Sequence, residues 1–176
     1  MERAELERDL EQLHPSCWGW ALACCGRDPD AAEETLQSAY LKILSGSARF
    51  DGRSQFRTWV FGVIRFTARE ELRRRSNRFV REEQVGPEAE AVTDGAPGAD
   101  FAAERSDQRT TLLAALELLS PRQREMIQLV FYHDMTIEEA AGVMQISLGS
   151  ARAHYDRGKK ALAVHLAPAR DREAMP

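Results

Sequence analysis

Apolar residues recur at three- and four-residue steps along most of this chain, and that spacing predicts helices nearly throughout. Leu6, Leu10 and Leu13 mark the inner face of a charged amphipathic helix that Pro15 interrupts or restarts. The run from Cys17 to Cys25 continues as an apolar helix, and Gly26-Arg27-Asp28-Pro29-Asp30 forms a turn. Asp30 is a suitable N-cap for the next helix, with Glu33 and Glu34 in its first turn complementing the helix dipole. That helix runs to about Leu44, buries some combination of Leu36, Ala39, Tyr40, Ile43 and Leu44, and ends at Ser45-Gly46-Ser47. A polar turn carrying Phe50 leads into a third helical run, in which Phe56, Trp59, Val60, Val63 and Thr67 form an apolar stripe. On another face Arg57, Phe61, Arg65, Arg69 and Arg73 recur every four residues, one aromatic inside a cationic row.

Beyond residue 108 the punctuation is sharper. Leu112, Leu113, Leu116 and Leu119 make one apolar face. Ser120-Pro121-Arg122-Gln123 reads as an N-cap, a proline at the first helical position and a capping-box glutamine, opening a helix to about Tyr132. His133-Asp134-Met135 turns the chain, and Thr136 with Glu139 forms a second capping box for a short helix to Met144. Gln145-Ile146-Ser147 breaks it, and Ser147 caps a last helix to about Leu166. A short helix, a tight turn and a longer basic helix make a helix-turn-helix. No strand pattern and no internal repeat is present, so the expected fold is all-α: two small helical domains joined by a flexible acidic linker. The expected boundaries are 1–85 for the first domain, 86–108 for the linker, 109–168 for the second domain and 169–176 for a tail. Gly86-Pro87 and Gly95-Ala96-Pro97-Gly98 punctuate the linker, where Glu88, Glu90, Asp94, Asp100, Glu104 and Asp107 face only Arg105.

Charge changes the picture. The 176 residues carry a net charge of −4, yet residues 50–81 are strongly net positive and the remainder is negative. An acidic protein that concentrates positive charge on one aromatic-bearing helix has a surface suited to a nucleic-acid backbone. It should bind DNA weakly alone and need a partner to hold it there. Aromatics beside arginines suit unpaired bases taken out of a duplex, and Phe50, Phe61 and Phe66 cannot all be buried easily on a helix that also buries Phe56 and Trp59. The plainer reading of this half is a helical bundle with an arginine-rich solvated face. The last helix carries Arg152, His154, Asp156, Arg157, Lys159 and Lys160 where a recognition helix meets DNA, while Ala151, Tyr155 and Leu162 can pack backward. Its plainer reading is a three-helix bundle with a solvated charged face.

Other chemistry is sparse. No apolar run approaches the roughly 18–20 residues that cross a bilayer, and the acidic start lacks a signal-peptide core, so a cytosolic protein is expected. His14, Cys17, Cys24 and Cys25 fit no usual zinc spacing, and the cysteines suit small buried side chains beside Trp18 and Trp20. No nucleophile–base pair, phosphate loop or carboxylate cluster suited to a metal is visible. Neither an enzyme nor a cofactor or metal is expected.

Asp30-Ala31-Ala32-Glu33-Glu34-Thr35-Leu36-Gln37-Ser38-Ala39-Tyr40-Leu41-Lys42 resembles the polymerase-binding helix of bacterial sigma factors. Phe50-Asp51-Gly52-Arg53-Ser54-Gln55-Phe56-Arg57-Thr58-Trp59-Val60-Phe61 is similar to the motif that follows it in the extracytoplasmic-function group. Leu119-Ser120-Pro121-Arg122-Gln123-Arg124-Glu125, Thr136-Ile137-Glu138-Glu139-Ala140-Ala141 and Ser147-Leu148-Gly149-Ser150-Ala151-Arg152 resemble that group's C-terminal domain. The resemblance covers nearly the whole chain in order. It implies a factor that binds core RNA polymerase and reads promoters through both domains. Glu34, Gln37, Ser38 and Leu41 would meet the clamp of the largest polymerase subunit, with Ser38 standing where relatives usually carry an acid. The loop of Phe50, Arg53 and Ser54 would pocket a base flipped from the minus-ten element, and Arg65, Phe66, Arg69, Glu70 and Arg73 would serve the same melted DNA. Arg152, His154, Asp156 and Arg157, with Lys159 and Lys160, would meet the minus-thirty-five duplex. Asp156 stands where relatives usually have a histidine or aromatic. The linker would lie along a cationic polymerase channel, and an anti-sigma factor is a further implied partner.

Two rivals stay open: a sigma-like decoy that occupies an anti-sigma factor, and a helix-turn-helix regulator acting on duplex DNA without polymerase. Intact basic and aromatic residues in the first half speak against the decoy, and the acidic N-terminal half offers the regulator no evident dimer surface.

Overall fold

The structure, a computed structural model, describes residues 3–82 and 103–173, with side chains placed in residues 3–75 and 110–167. Every regular element among the described residues is helical: α1 (Arg3–Cys24), α2 (Pro29–Leu44), α3 (Phe56–Glu82), α4 (Ala103–Glu117), α5 (Pro121–Ile127), a π-helical turn (Gln128–Tyr132), α6 (Ile137–Met144) and α7 (Leu148–Glu173). The all-α expectation holds, with several local corrections. Pro15 lies inside α1 without dividing it. Its missing N–H frees the carbonyl one turn back, at Glu11, and both residues sit on the exposed face within reach of solvent. The cap of α2 is Asp28 rather than Asp30: the Asp28 carboxylate accepts from the Ala31 N–H at 3.0 Å, and Pro29 takes the first helical position, where it has no donor to lose. The segment read as linker, 86–108, gives way to α4 at Ala103, and residues 83–102 lie outside the described part. Helix α7 continues past Leu166 into the stretch read as a tail.

Helices α1, α2 and α3 pack on one another around Cys17, Trp20, Ala32, Leu36, Ala39, Ile43, Val60, Phe61 and Ile64, all nearly or fully removed from solvent. Trp20 organises this core. Its indole N–H donates to the Phe61 carbonyl at 3.0 Å, and its ring stacks on Phe61 with centroids 5.8 Å apart and planes 7° from parallel. Phe61 is therefore fully buried, which corrects its assignment to an aromatic-bearing cationic surface. The four-residue period was right, but α1 covers that face.

Helices α4 to α7 form the second half. The two capping boxes close as expected, with the Ser120 N–H donating to Gln123 Oε1 at 3.2 Å and the Thr136 N–H to Glu139 Oε2 at 2.7 Å. Those Thr136 bonds hold the Glu139 carboxyl below the usual carboxylate range. Gln145 ends α6 in the left-handed region at φ 54°, and Ser147 Oγ accepts from the Ser150 N–H at 3.2 Å, so the break between α6 and α7 is tight. The π-helical turn was not legible beforehand. By adding a residue to the turn it carries Tyr132 and His133 onto α1, where a Cβ at Gly19 would stand only 3.1 Å from Tyr132 Cε1. The halves share one core: Met126, Leu129, Val143 and Met144 join the cluster that contains Trp20 and Phe61. No helix among the described residues is long and apolar enough to cross a membrane.

Candidate nucleic-acid interface

The outward face of α2 follows from its buried one. Ala32, Thr35, Leu36, Ala39 and Ile43 turn into the core, so Glu34, Gln37 and Leu41 project from the opposite side with Ser38 half-buried beside them. Leu41 is 68% exposed. Glu34 is held by Arg75 of α3, whose guanidinium lies 2.5 Å from its carboxylate and 3.8 Å from that of Asp28.

Next to this face lies the loop before α3. Gly52 turns it at φ 74°, a conformation few other residues adopt without strain. The Arg53 N–H donates to Asp51 Oδ1 at 3.1 Å, and the Arg53 guanidinium, 89% exposed, pairs with the same carboxylate. Ser54 is exposed as well. Phe50 is half-buried, its ring 5.5 Å from Phe56 and 5.3 Å from Trp59, so the loop is walled by three aromatic rings. Along α3, Phe66 is 62% exposed, and Arg69 and Arg73 point to solvent.

Two residues of the expected set are placed differently. Arg65 is buried: its guanidinium donates to both Glu125 oxygens, at 3.1 and 2.9 Å, and to the Met144 carbonyl at 3.2 Å. Glu70 is clamped between Lys42 at 2.7 Å and Arg74 at 3.2 Å, and the Lys42 hydrogen bond and charge hold its carboxyl below the usual range. Lys42 was missed by sequence reasoning. It also donates to Thr67 at 3.2 Å and sits 5.6 Å over the Phe66 ring, tying the exposed face of α2 to that of α3. Pairings of this kind cross between helices and leave no trace in the spacing along either.

On α7, Ala151 is buried, and Arg152, Asp156, Arg157, Lys159 and Lys160 are exposed, with Lys159 Nζ 5.2 Å over the Tyr155 ring. His154 is half-buried, and its Nδ1 is enclosed without a partner. The cysteines are structural. Burial pushes the Cys17 thiol up to about 11 and raises Cys24 and Cys25, so all three resist forming the reactive thiolate. Among the described residues no three potential ligands converge on a metal position.

Two family models match the chain: sigma-70 region 2 over residues 10–78 and sigma-70 region 4 over residues 109–162. Together they frame both faces just described. The chain belongs to the extracytoplasmic-function group of RNA polymerase sigma factors. Similar group members include SigX of Bacillus subtilis, 27% identical across 80% of this chain and 73% of that one. CarQ of Myxococcus xanthus is 29% identical across 80% and 78%, and EcfG of Rhodopseudomonas palustris 26% identical across 92% and 84%. Among solved structures, the sigma factor RpoE in complex with the anti-sigma factor NepR from Bartonella quintana superposes with a TM-score of 0.71 at 21% identity, covering 93% of this chain and 97% of the other. CnrH in complex with the cytosolic domain of CnrY does so with a TM-score of 0.60 at 19% identity, covering 92% and 90%. Those two likenesses concern the fold. Sigma factors are transcription initiation factors rather than enzymes, which accords with a surface built of cations, aromatics and an exposed leucine.

Proposed function

We propose that this sigma factor binds core RNA polymerase through Glu34, Gln37, Ser38 and Leu41 of α2 and reads promoter DNA at two places. In this reading the loop of Phe50, Arg53 and Ser54, with Phe66, Arg69 and Arg73, captures melted minus-ten DNA. Arg152, His154, Asp156 and Arg157 meet base edges of the minus-thirty-five duplex, with Lys159 and Lys160 on phosphates. The observation that carries it is the exposure of two large apolar side chains, Leu41 and Phe66, at 68% and 62% on helices that pack together, with Lys42 of α2 lying over the Phe66 ring. A polymerase-facing leucine on α2 and a DNA-facing phenylalanine on the packed helix α3 would couple docking to strand capture. Glu70 serves by positioning α2 on α3, and Arg65 joins the DNA-facing row when Glu125 releases it. Domain boundaries at 1–85 and 109–168 suit this division of labour, and the protein would act in the cytoplasm, where polymerase works.

An anti-sigma factor is a reasonable further partner, since the solved relatives RpoE and CnrH are held by NepR and CnrY. The direct test of docking is titration of fluorescently labelled protein with purified core polymerase. Leu41→Glu should weaken binding by tenfold or more while leaving the helical signal unchanged. Equal binding by wild type and Leu41→Glu would remove α2 from the interface.

A further inference from the structure

One lysine of the polymerase-facing helix reaches onto the DNA-facing one. Lys42 follows Leu41 in the last turn of α2, and a step of about 100° around the helix axis turns it from the open side toward α3. There its ammonium donates to Glu70 Oε2 at 2.7 Å and to Thr67 Oγ1 at 3.2 Å, and it lies 5.6 Å from the centroid of the Phe66 ring. Phe66 and Glu70 stand four residues apart on one face of α3, so a single ammonium serves both. Thr67 is closed to solvent and the Lys42 side chain is only 31% exposed, which holds the cation at a defined place.

The two contacts have different consequences. An exposed phenylalanine on a helix has more than one rotamer open to it, and a cation over the ring face selects one of them. Glu70 poses the opposite problem. Arg69 and Arg73 point to solvent on either side of it along the helix, and a free carboxylate in that row would repel a phosphate backbone. Both of its oxygens are occupied, one by Lys42 and the other by Arg74 at 3.2 Å. Arg74 is 60% exposed and is shared with Glu71 at 3.0 Å, so Lys42 is the firmer of the two partners.

Resting on the sigma reading above, we infer that Lys42 is a positioning residue for promoter opening: without touching DNA, it orients the Phe66 ring for the melted strand and keeps the Glu70 carboxylate out of that strand's path. Its backbone belongs to the helix that docks, so the orientation of Phe66 is set by the docking element and not by α3 alone. Loss of Lys42 therefore separates two steps of the factor. Polymerase binding persists while strand capture fails.

The test uses the full chain with core polymerase on a promoter that the wild type opens, read by permanganate reactivity of unpaired thymines. Lys42→Met keeps an unbranched stem and removes the charge. It should slow opening tenfold or more, with affinity for core polymerase within twofold of wild type and far-UV circular dichroism unchanged. Lys42→Arg, which keeps a cation, should recover most of the rate. In a Phe66→Ala background Lys42→Met should cost threefold or less, and adding Glu70→Gln to Lys42→Met should restore at least threefold, because residues acting on one step are not additive. Opening at the wild-type rate in Lys42→Met, full additivity in both backgrounds, or an equal loss of polymerase binding would overturn the proposal. A second arm needs no polymerase. With a para-fluorinated phenylalanine at position 66, Lys42→Met should shift the fluorine resonance of the free protein, and an unmoved resonance would take the lysine off the ring and overturn the proposal as well. If the wild type bound no polymerase and opened no promoter, the sigma reading would fail, while the fluorine arm would still decide whether Lys42 holds the ring.

Discussion

His133 gives the structure a pH dependence that can be worked out in advance. The imidazole is 5% exposed, ringed by Trp20, Phe61 and Tyr132, and its Nε2 is enclosed without a partner. Burial, with the nearby Arg57 charge adding to it and Asp134 opposing, lowers its pKa from 6.5 to about 4. Between those values the unfolded chain holds a proton that the folded one excludes, so stability is complete above pH 6.5 and falls as the pH drops toward 4. Lowering the pH from 7.5 to 5.5 should therefore cost about 1.3 kcal/mol, and continuing to pH 4 roughly 3 kcal/mol in all. With a urea m-value of about 2 kcal/mol/M, the first step moves the unfolding midpoint down by about 0.6 M. The carboxyls of Glu70 and Glu139 are held below 4.5, so their stabilisation is intact across the first step and begins to be lost only as the pH falls below about 4.5, where it adds to the His133 contribution. The assay is urea unfolding followed by tryptophan fluorescence at the two pH values, for the wild type and for His133→Phe. The variant should lose most of the pH-dependent difference whatever its absolute stability. If both proteins shifted equally between pH 7.5 and 5.5, a neutral buried His133 would be the wrong account.

Three further substitutions test the packing. Trp20→Phe removes the indole donor to the Phe61 carbonyl and part of the largest buried ring, and should cost about 2–3 kcal/mol in chemical denaturation. Thr136→Ala takes away the hydroxyl that accepts from the Glu139 N–H at 3.1 Å, and should lower stability by about 1 kcal/mol without changing the m-value. Gly158→Val puts a branched side chain where even a Cβ would stand 3.0 Å from Ile127 Cγ1, and should cost about 1–3 kcal/mol, seen as a lower melting temperature.

Much of the molecule was legible because helices announce themselves locally. The boxes at Ser120 and Thr136, the break at Gln145 and the inward face of α2 all follow from residues within one or two turns of each other. What escaped was long-range. Phe61 and Arg65 sit on the same four-residue row as Arg69 and Arg73, and nothing in that row says that α1 and α6 cover its first half while its second half stays open. The candidate surface was likewise read as continuous, yet Glu70 and Arg65 are drawn inward by Lys42 and Glu125, partners 28 and 60 residues away. The π-helical turn that inserts His133 depends on the shape of α1 at Gly19, again a contact between distant segments.

The most direct test is run-off transcription with purified core polymerase on a library of candidate promoters, comparing wild type with Phe66→Ala and Arg152→Ala. Both side chains are solvent-exposed, so neither change should disturb folding. Discrete transcripts that depend on this protein, and that weaken sharply in both variants, are the expected result. Polymerase-dependent transcripts that persist undiminished in both, or tight binding to promoter duplexes without polymerase and no transcript with it, would contradict the sigma account.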